Sequence, residues 1–376
     1  MFFTSYEFLF IFLPIALLGF MVLHKLRWSN FARYWLVFVS LVFYWSLDGR
    51  HISHLLVSIG INYIASVCIY KLRTNSIRFA TRVMWAGICF NIGFLIWFKY
   101  ADYLLGYGPT AAIPLGISFF TIQQIAYLVS TFNDDEVTPT FSQYLLFVSF
   151  FPYVIAGPIV TKGEVIQQLR EMSEHRAIRM LMPALTLFAI GLFKKVVFAD
   201  NIGEYVDLVY AAATNGKPLS TADAWSAAML YTLQIYFDFS GYSDMAAGLA
   251  GMFGLRLPRN FHSPLKACSI MEFWRRWHMS ATRFFTNHFY LPLVMKFMRL
   301  AVRWQLSGAN RFLFTVLLPM LVTFFLIGIW HGAGMTAVVF GLMMGVAISI
   351  NHIWIKLSLP ALPRWCAWLI TSFVVV

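Results

Sequence analysis

Apolar runs long enough to cross a bilayer recur along this chain, separated by short polar or charged segments. Residues 8–23 form the first run, followed by Lys25, Arg27 and Arg33. Runs at 34–47, 52–70 and 83–98 come next, with a basic patch of Lys71, Arg73, Arg78 and Arg82 between the last two and Lys99 closing the fourth. A span needs about 20 apolar residues, so the shorter runs are expected to tilt or to extend into their flanks. From residue 113 the pattern changes: Pro114, Gly116, Ser118, Thr121, Gln123 and Gln124 interrupt an otherwise apolar stretch. Polar backbone and side chains at membrane depth are tolerated where protein buries them or a cavity is lined by them. Residues 113–132 are therefore expected to form a helix packed inside the bundle, followed by an acidic turn at 133–136.

Residues 141–160 read as an apolar helix broken at Ala156-Gly157-Pro158. The mixed-charge stretch 162–179 carries Val165, Ile166, Leu169 and Met172 at helical spacing, the pattern of an amphipathic helix on the cytoplasmic surface. The chain re-enters the membrane at 183–198, with Lys194 and Lys195 placed to snorkel. A polar connection is expected at 201–220 and another span at 221–239. The following 45 residues are the least membrane-like, with arginines interleaved with Trp and Phe. Runs at 289–300, 312–330, 335–350 and 365–376 complete the chain, and the last is too short to span alone, which suggests a truncated C-terminal end.

Composition agrees with this pattern. Of 376 residues, 60% are hydrophobic and 12% charged, against roughly 25% charged in soluble domains. The expected fold class is an all-α polytopic membrane protein, residues 1–376 forming one domain. The first run has no basic residue before it and no small-residue cleavage site after it, so it is read as an uncleaved first helix and not a signal peptide. The net charge is +12, from 28 Lys+Arg and 16 Asp+Glu. In a soluble protein that would point to nucleic acid. Here the basic residues sit in short segments between spans, as in cytoplasmic loops, so the partner is the lipid bilayer and no nucleic acid. Four scattered cysteines have neither metal-ligand nor redox spacing, so no metal site is expected.

Two histidines stand out. His331 lies in Phe325-Leu-Ile-Gly-Ile-Trp-His-Gly-Ala-Gly334. An ionisable group at membrane depth is costly and is a functional candidate by default, although a hydrogen-bonded structural histidine is the competing reading. Neutral imidazole can take the proton from a hydroxyl as its oxygen attacks a thioester carbonyl. His278 lies in Glu272-Phe-Trp-Arg-Arg-Trp-His-Met-Ser280. On a continuous helix Trp274 and His278 would share a face, and Glu272 would pair with Arg275 or Arg276. Those arginines suit either lipid headgroups or an anionic, phosphate-bearing substrate.

The order of motifs carries more than either histidine. Tyr236-Phe-Asp-Phe-Ser-Gly-Tyr-Ser-Asp-Met245, Gly254-Leu-Arg-Leu-Pro-Arg-Asn-Phe-His-Ser-Pro264, the Glu272–Ser280 segment and Gly328-Ile-Trp-His-Gly-Ala333 follow one another. Pro114-Leu-Gly-Ile-Ser-Phe-Phe-Thr121, Phe150-Phe-Pro-Tyr-Val-Ile-Ala-Gly-Pro158 and Gly191-Leu-Phe-Lys-Lys-Val-Val-Phe-Ala-Asp-Asn201 precede them. The series resembles the membrane-bound O-acyltransferase (MBOAT) family, in its bacterial branch of alginate O-acetyltransferase membrane subunits and the D-alanyl-transfer protein of teichoic acid synthesis.

The resemblance implies a ring of membrane helices around a thin central region with a reaction tunnel, in a multi-pass protein of the bacterial inner membrane. It implies His331 as the active-site histidine and His278 as the second one. Trp274, Trp330, Asp238, Asp244 and Gln123 are the residues expected along that tunnel, and Arg275, Arg276 and Lys266 those expected at the phosphates of the donor. No bound cofactor is implied: acetyl-CoA is the expected donor, acting as substrate. A periplasmic acetyltransferase partner and an exported polysaccharide acceptor, as in alginate biosynthesis, are the other expected partners. D-alanyl or other acyl transfer to a cell-wall polymer, a transporter or flippase with a midplane histidine, and a scaffold that anchors a soluble acyltransferase are the alternatives. The sequence departs from alginate-type members where Asn287-His288 replaces an Arg-Asp pair and Val294-Met-Lys-Phe-Met-Arg-Leu replaces a Gly-rich turn, which leaves the acceptor open.

Overall fold

The computed structural model describes residues 1–105, 113–133, 138–172, 174–332 and 334–376, and the described residues are helical with no strand. Six helical segments are long and apolar enough to cross a membrane: Phe8–Lys25, Ser29–Asn75, Ile77–Tyr100, His175–Thr214, Gly308–His331 and Met335–Lys356. The protein is an all-α, multi-pass membrane protein. The chain groups into two compact units, Met1–Phe98 with Ala111–Arg259, and Lys99–Thr110 with Asn260–Val376.

In the first unit, α1 (Leu13–Lys25, after a π-helical turn at Phe8–Phe12), α2 (Ser29–Asp48), α3 (Ile52–Asn75) and α4 (Ile77–Leu105, its end from Lys99 on belonging to the second unit) correspond to the first four apolar runs, and α2, α3 and α4 are longer than their runs predicted. A corner at Asp48–His51 folds α2 onto α3. There the Asp48 carboxylate takes His51 Nδ1 at 2.6 Å and the Leu115 N–H at 2.9 Å. Helix α5 (Ile117–Asn133) is buried, as its polar residues suggested. Gln124 donates to Ser58 and accepts from Tyr144, and Asn62 and Asn91 bond each other between α3 and α4. Inside a bundle such groups must find protein partners, because no water supplies them. The acidic turn beyond Asn133 lies outside the described residues.

Four expectations in this unit are corrected. Helix α6 (Phe141–Ser149) stops well before Ala156-Gly157-Pro158. Pro152 lacks an N–H and its ring would clash with the preceding turn; the chain leaves helical geometry at Phe150, with ψ 116°, and the freed Phe151 N–H bonds Ser40 Oγ at 3.2 Å. The amphipathic stretch 162–179 is two helices: α7 (Lys162–Arg170) buries Val165, Ile166 and Leu169, and α8 (Glu174–Phe193) begins a new span that carries Pro183. The polar connection 201–220 is mostly helical, because α9 (Asp200–Thr214) follows a π-helical turn, Lys194–Ala199, and buries Gly203 and Val206 one turn apart. Helix α10 (Thr221–Met252) runs 13 residues past the predicted end. Glycine lets it: a Cβ on Gly241 would sit 2.8 Å from the Gly191 carbonyl of α8, and one on Gly248 would sit 2.7 Å from the Ala184 carbonyl. Side-chain bulk was not what held this helix in place; close backbone packing was.

In the second unit, α11 (Ile270–Arg276), α12 (Met279–Phe285) and α13 (Leu291–Arg303) are short. They precede α14 (Gly308–Phe312), α15 (Leu318–His331), α16 (Met335–Lys356) and α17 (Arg364–Val375). Gly328 and Gly341 bring α15 and α16 together, since a Cβ on Gly341 would lie 2.4 Å from the Phe324 carbonyl. This hairpin positions His331 at its turn.

Candidate active site

Helix α15 ends at His331 because Gly332 is fully extended, with φ −157° and ψ 156°. The last carbonyls of a helix have no partner of their own. Here the end of α4 supplies them. Lys99 Nζ donates to the Trp330 carbonyl and Tyr100 OH to that of Ile329, and the same hydroxyl lies 2.9 Å from the Gly332 carbonyl. A cation at a helix C-terminus also suits its dipole. His331 itself is exposed, its ring 4.7 Å from that of Trp330.

The His278 side is built differently. The expected continuous helix is broken: α11 ends at Arg276, Trp277 is extended, and His278 is left-handed, with φ 42° and ψ 51°. Trp274 and His278 therefore do not share a helix face. Positive φ in a non-glycine residue costs on the order of 1 kcal/mol and persists only where the surroundings hold it. They do so through Asn260, which is 3% exposed. Its carbonyl accepts from Met279 N, and its side-chain Oδ1 accepts from Ser280 N at 3.2 Å and Ser280 Oγ at 2.9 Å. The same Oδ1 lies 3.1 Å from His278 Nδ1. An oxygen that already accepts two hydrogens faces Nδ1 as an acceptor, so Nδ1 carries the ring proton and Nε2 the lone pair. His278 is 3% exposed, and burial pushes its imidazole down to about 3, with His331 a smaller cause.

Trp330 neighbours both histidines. Its ring is 6.0 Å from His278, 4.7 Å from His331 and 5.6 Å from Phe285. Phe285 also lines a cavity of about 290 Å³ with Trp274, Phe324, Ile327, Arg275 and His352. Trp274 is 7% exposed, and its indole N–H has no hydrogen-bond partner among the described residues.

The structure brings His278, His331 and Trp330 together, and places Trp274 and Arg275 at the adjoining cavity. Arg276 is engaged by Glu272 at 2.6 Å, the i,i+4 partner that the spacing allowed, and by the His262 carbonyl at 3.3 Å. Lys266 is exposed on a short 3₁₀ turn. Asp238, Asp244 and Gln123 belong to the first unit, where each is bonded: Asp238 to Lys195 at 2.7 Å, Asp244 to Lys194 at 2.5 Å, and Gln123 to the Phe147 carbonyl at 2.8 Å. Asn260, Lys99 and Tyr100 carry no functional signal in the sequence: Asn260 is one polar residue within Gly254–Pro264, and Lys99 is the basic residue that closes the fourth apolar run.

Residues 95–376 match the profile described as MBOAT, membrane-bound O-acyltransferase family. The chain belongs to this family. The family assignment makes it an O-acyltransferase and sets aside the transporter and scaffold alternatives. It is 36% identical to the peptidoglycan O-acetyltransferase of Helicobacter pylori, over 98% of this chain and 74% of that protein. It is 32% identical to the probable alginate O-acetylase of Pseudomonas aeruginosa, over 100% of this chain and 71% of that protein. The teichoic acid D-alanyltransferase of Streptococcus thermophilus is 24% identical, over 64% of this chain and 57% of that protein.

Proposed function

We propose that this MBOAT protein moves acetyl groups from acetyl-CoA on the cytoplasmic side of the inner membrane to hydroxyls of an exported polysaccharide, working with a periplasmic partner. The observation that carries the reading is the pair of histidines on one tryptophan: an exposed His331 at a helix end whose last carbonyls are held, and a buried His278 in a defined tautomer. The acceptor hydroxyl attacks the thioester carbonyl carbon and forms the C–O bond. His331 takes the hydroxyl proton, the C–S bond breaks, and the proton passes to the departing thiolate, leaving an acetyl ester and a free thiol. General-base help of this kind contributes roughly 10²- to 10⁴-fold. His278 is a positioning residue: it stays uncharged beside Trp330, so it adds no imidazolium to oppose the charge developing on His331. The unpartnered Trp274 N–H, worth about 1–3 kcal/mol if left unbonded, offers a donor to a donor-substrate oxygen in the cavity. Arg275 on the same cavity suits the phosphates of coenzyme A, with Arg276 and Lys266 nearby in sequence. Acetyl is favoured over D-alanyl because the similarity to the two O-acetylases is higher and covers nearly the whole chain.

Membrane vesicles of opposite orientation test this. Inverted vesicles carrying the chain, given acetyl-labelled acetyl-CoA, should release free thiol and gain base-labile label on glycan; right-side-out vesicles should not. Equal labelling in both orientations would remove the sidedness. Inertness toward acetyl-CoA with turnover of a carrier-bound D-alanyl thioester would reassign the donor.

A further inference from the structure

The first unit holds a cavity of about 510 Å³ that the acyl-transfer chemistry does not use. It lies between the start of α8 and the end of α10, which run antiparallel: Gly251 of α10 packs on Met180 and Ala184 of α8, and Gly241 on Gly191 further along. One part of its wall is apolar, from Met180, Pro183, Leu187 and Ala247; the other is cationic, from Arg176, Arg179 and Arg256. Gln168 of α7 ties the cationic end together. Its Oε1 accepts from Arg176 Nη2 at 2.7 Å and from the Arg256 N–H at 2.9 Å, and its Nε2 donates to the Arg256 carbonyl at 3.0 Å. Among the described side chains, no carboxylate forms a salt bridge with any of the three arginines. Three like charges held around one opening repel one another, and an anion relieves that repulsion.

The arrangement has the form of an amphiphile. Arg176 and Arg179 stand at the first turns of a 40-residue apolar helical segment, His175–Thr214, and basic residues at the end of a membrane-crossing helix favour the headgroup level. Basic pockets between membrane helices at this level suit phosphate headgroups. A soluble phosphate would use the arginines and leave the Met180, Leu187 and Ala247 wall unexplained. We infer that this cleft binds an anionic phospholipid, its phosphate on Arg176, Arg179 and Arg256 and an acyl chain along the groove between α8 and α10. Bound lipid would join α7, α8 and α10 at one membrane face.

The test uses the full chain purified in mild non-ionic detergent, with bound lipid counted by native mass spectrometry as phosphatidylglycerol or phosphatidylcholine is titrated in. Wild type should retain one phosphatidylglycerol in preference to phosphatidylcholine. At about fivefold per arginine near a membrane surface, R176Q/R179Q/R256Q should bind it on the order of a hundredfold more weakly, and the triple lysine variant should recover most of the affinity. If the triple glutamine variant does not fold, Arg179→Gln alone, at an exposed side chain, should weaken binding about fivefold. Undiminished retention by the variant that folds overturns the inference. So does displacement of the bound phosphatidylglycerol by coenzyme A, which would assign the arginines to a soluble phosphate donor.

Discussion

The two histidines both neighbour one tryptophan, Trp330, and are held by opposite means. His278 is enclosed: left-handed backbone, a buried Asn260 that bonds its ring and the next two residues, and almost no exposure. His331 is presented: it ends a long apolar helix and is exposed, and what is fixed is the backbone around it, by Lys99 and Tyr100. A buried group with every neighbour specified is suited to hold a charge state and a position. A side chain at an open helix end is suited to meet a substrate. The difference explains why one site can use two histidines.

The largest consequence falls on His331. His331→Ala should lower acetyl transfer by roughly 10²- to 10⁴-fold while changing the apparent Tm in detergent by little, because the side chain is exposed; near-normal polysaccharide acetylation in this variant would end the general-base role. Asn260→Ala should act on both fold and rate. It leaves the Ser280 hydroxyl and N–H and the His278 N–H without their acceptor, a cost of about 2–4 kcal/mol from buried unsatisfied groups, and it frees the imidazole to change tautomer. Loss of stability with unchanged kcat in the remaining folded protein would make Asn260 purely structural. Lys99→Met should come next, with transfer reduced about tenfold by loosening a charge-assisted contact to the Trp330 carbonyl and with KM for acetyl-CoA nearly unchanged; a rise in KM alone would place Lys99 in donor binding instead.

Smaller effects separate the two regions by pH. His278 is held near 3 when folded, against an ordinary 6.5. A depressed folded value means stability that is fully present above about pH 6.5 and is lost as pH falls toward 3. Between pH 7.5 and 5 the loss is about 2 kcal/mol, and His278→Gln should remove most of that slope in apparent Tm; a variant with the wild-type slope would show that another group carries it. The half-exposed Glu272 carboxyl is lowered chiefly by the Cys268 N–H, then by Arg276. Its contribution is present above the usual carboxylate range and lost as pH falls through its lowered value, and Glu272→Gln, which keeps the N–H acceptor, should change stability by under about 1 kcal/mol at pH 7.

Much of this molecule could be read from composition and periodicity, because a bilayer imposes a length and a polarity on every segment that crosses it. The first four spans, the α15–α16 hairpin and the buried polar helix α5 follow from that rule, and the importance of His331 from a charge-capable residue between apolar runs. Helix ends were harder. Pro152 outweighed the more conspicuous Ala156-Gly157-Pro158, and α9 and α10 extended through polar sequence because glycines and Lys–Asp pairs stabilise them from neighbouring helices. The site was half-visible. Two histidines 53 residues apart in sequence announce chemistry, but their relation to Trp330 is a matter of how α11, α12 and α15 pack, and the left-handed kink that separates Trp274 from His278 runs against local helix propensity. Asn260, Lys99 and Tyr100 matter only through atoms far away in the chain. A sequence records which groups are present and how polar each segment is; hydrogen bonds between distant segments, and hence tautomer, charge state and access, are settled only when the helices meet.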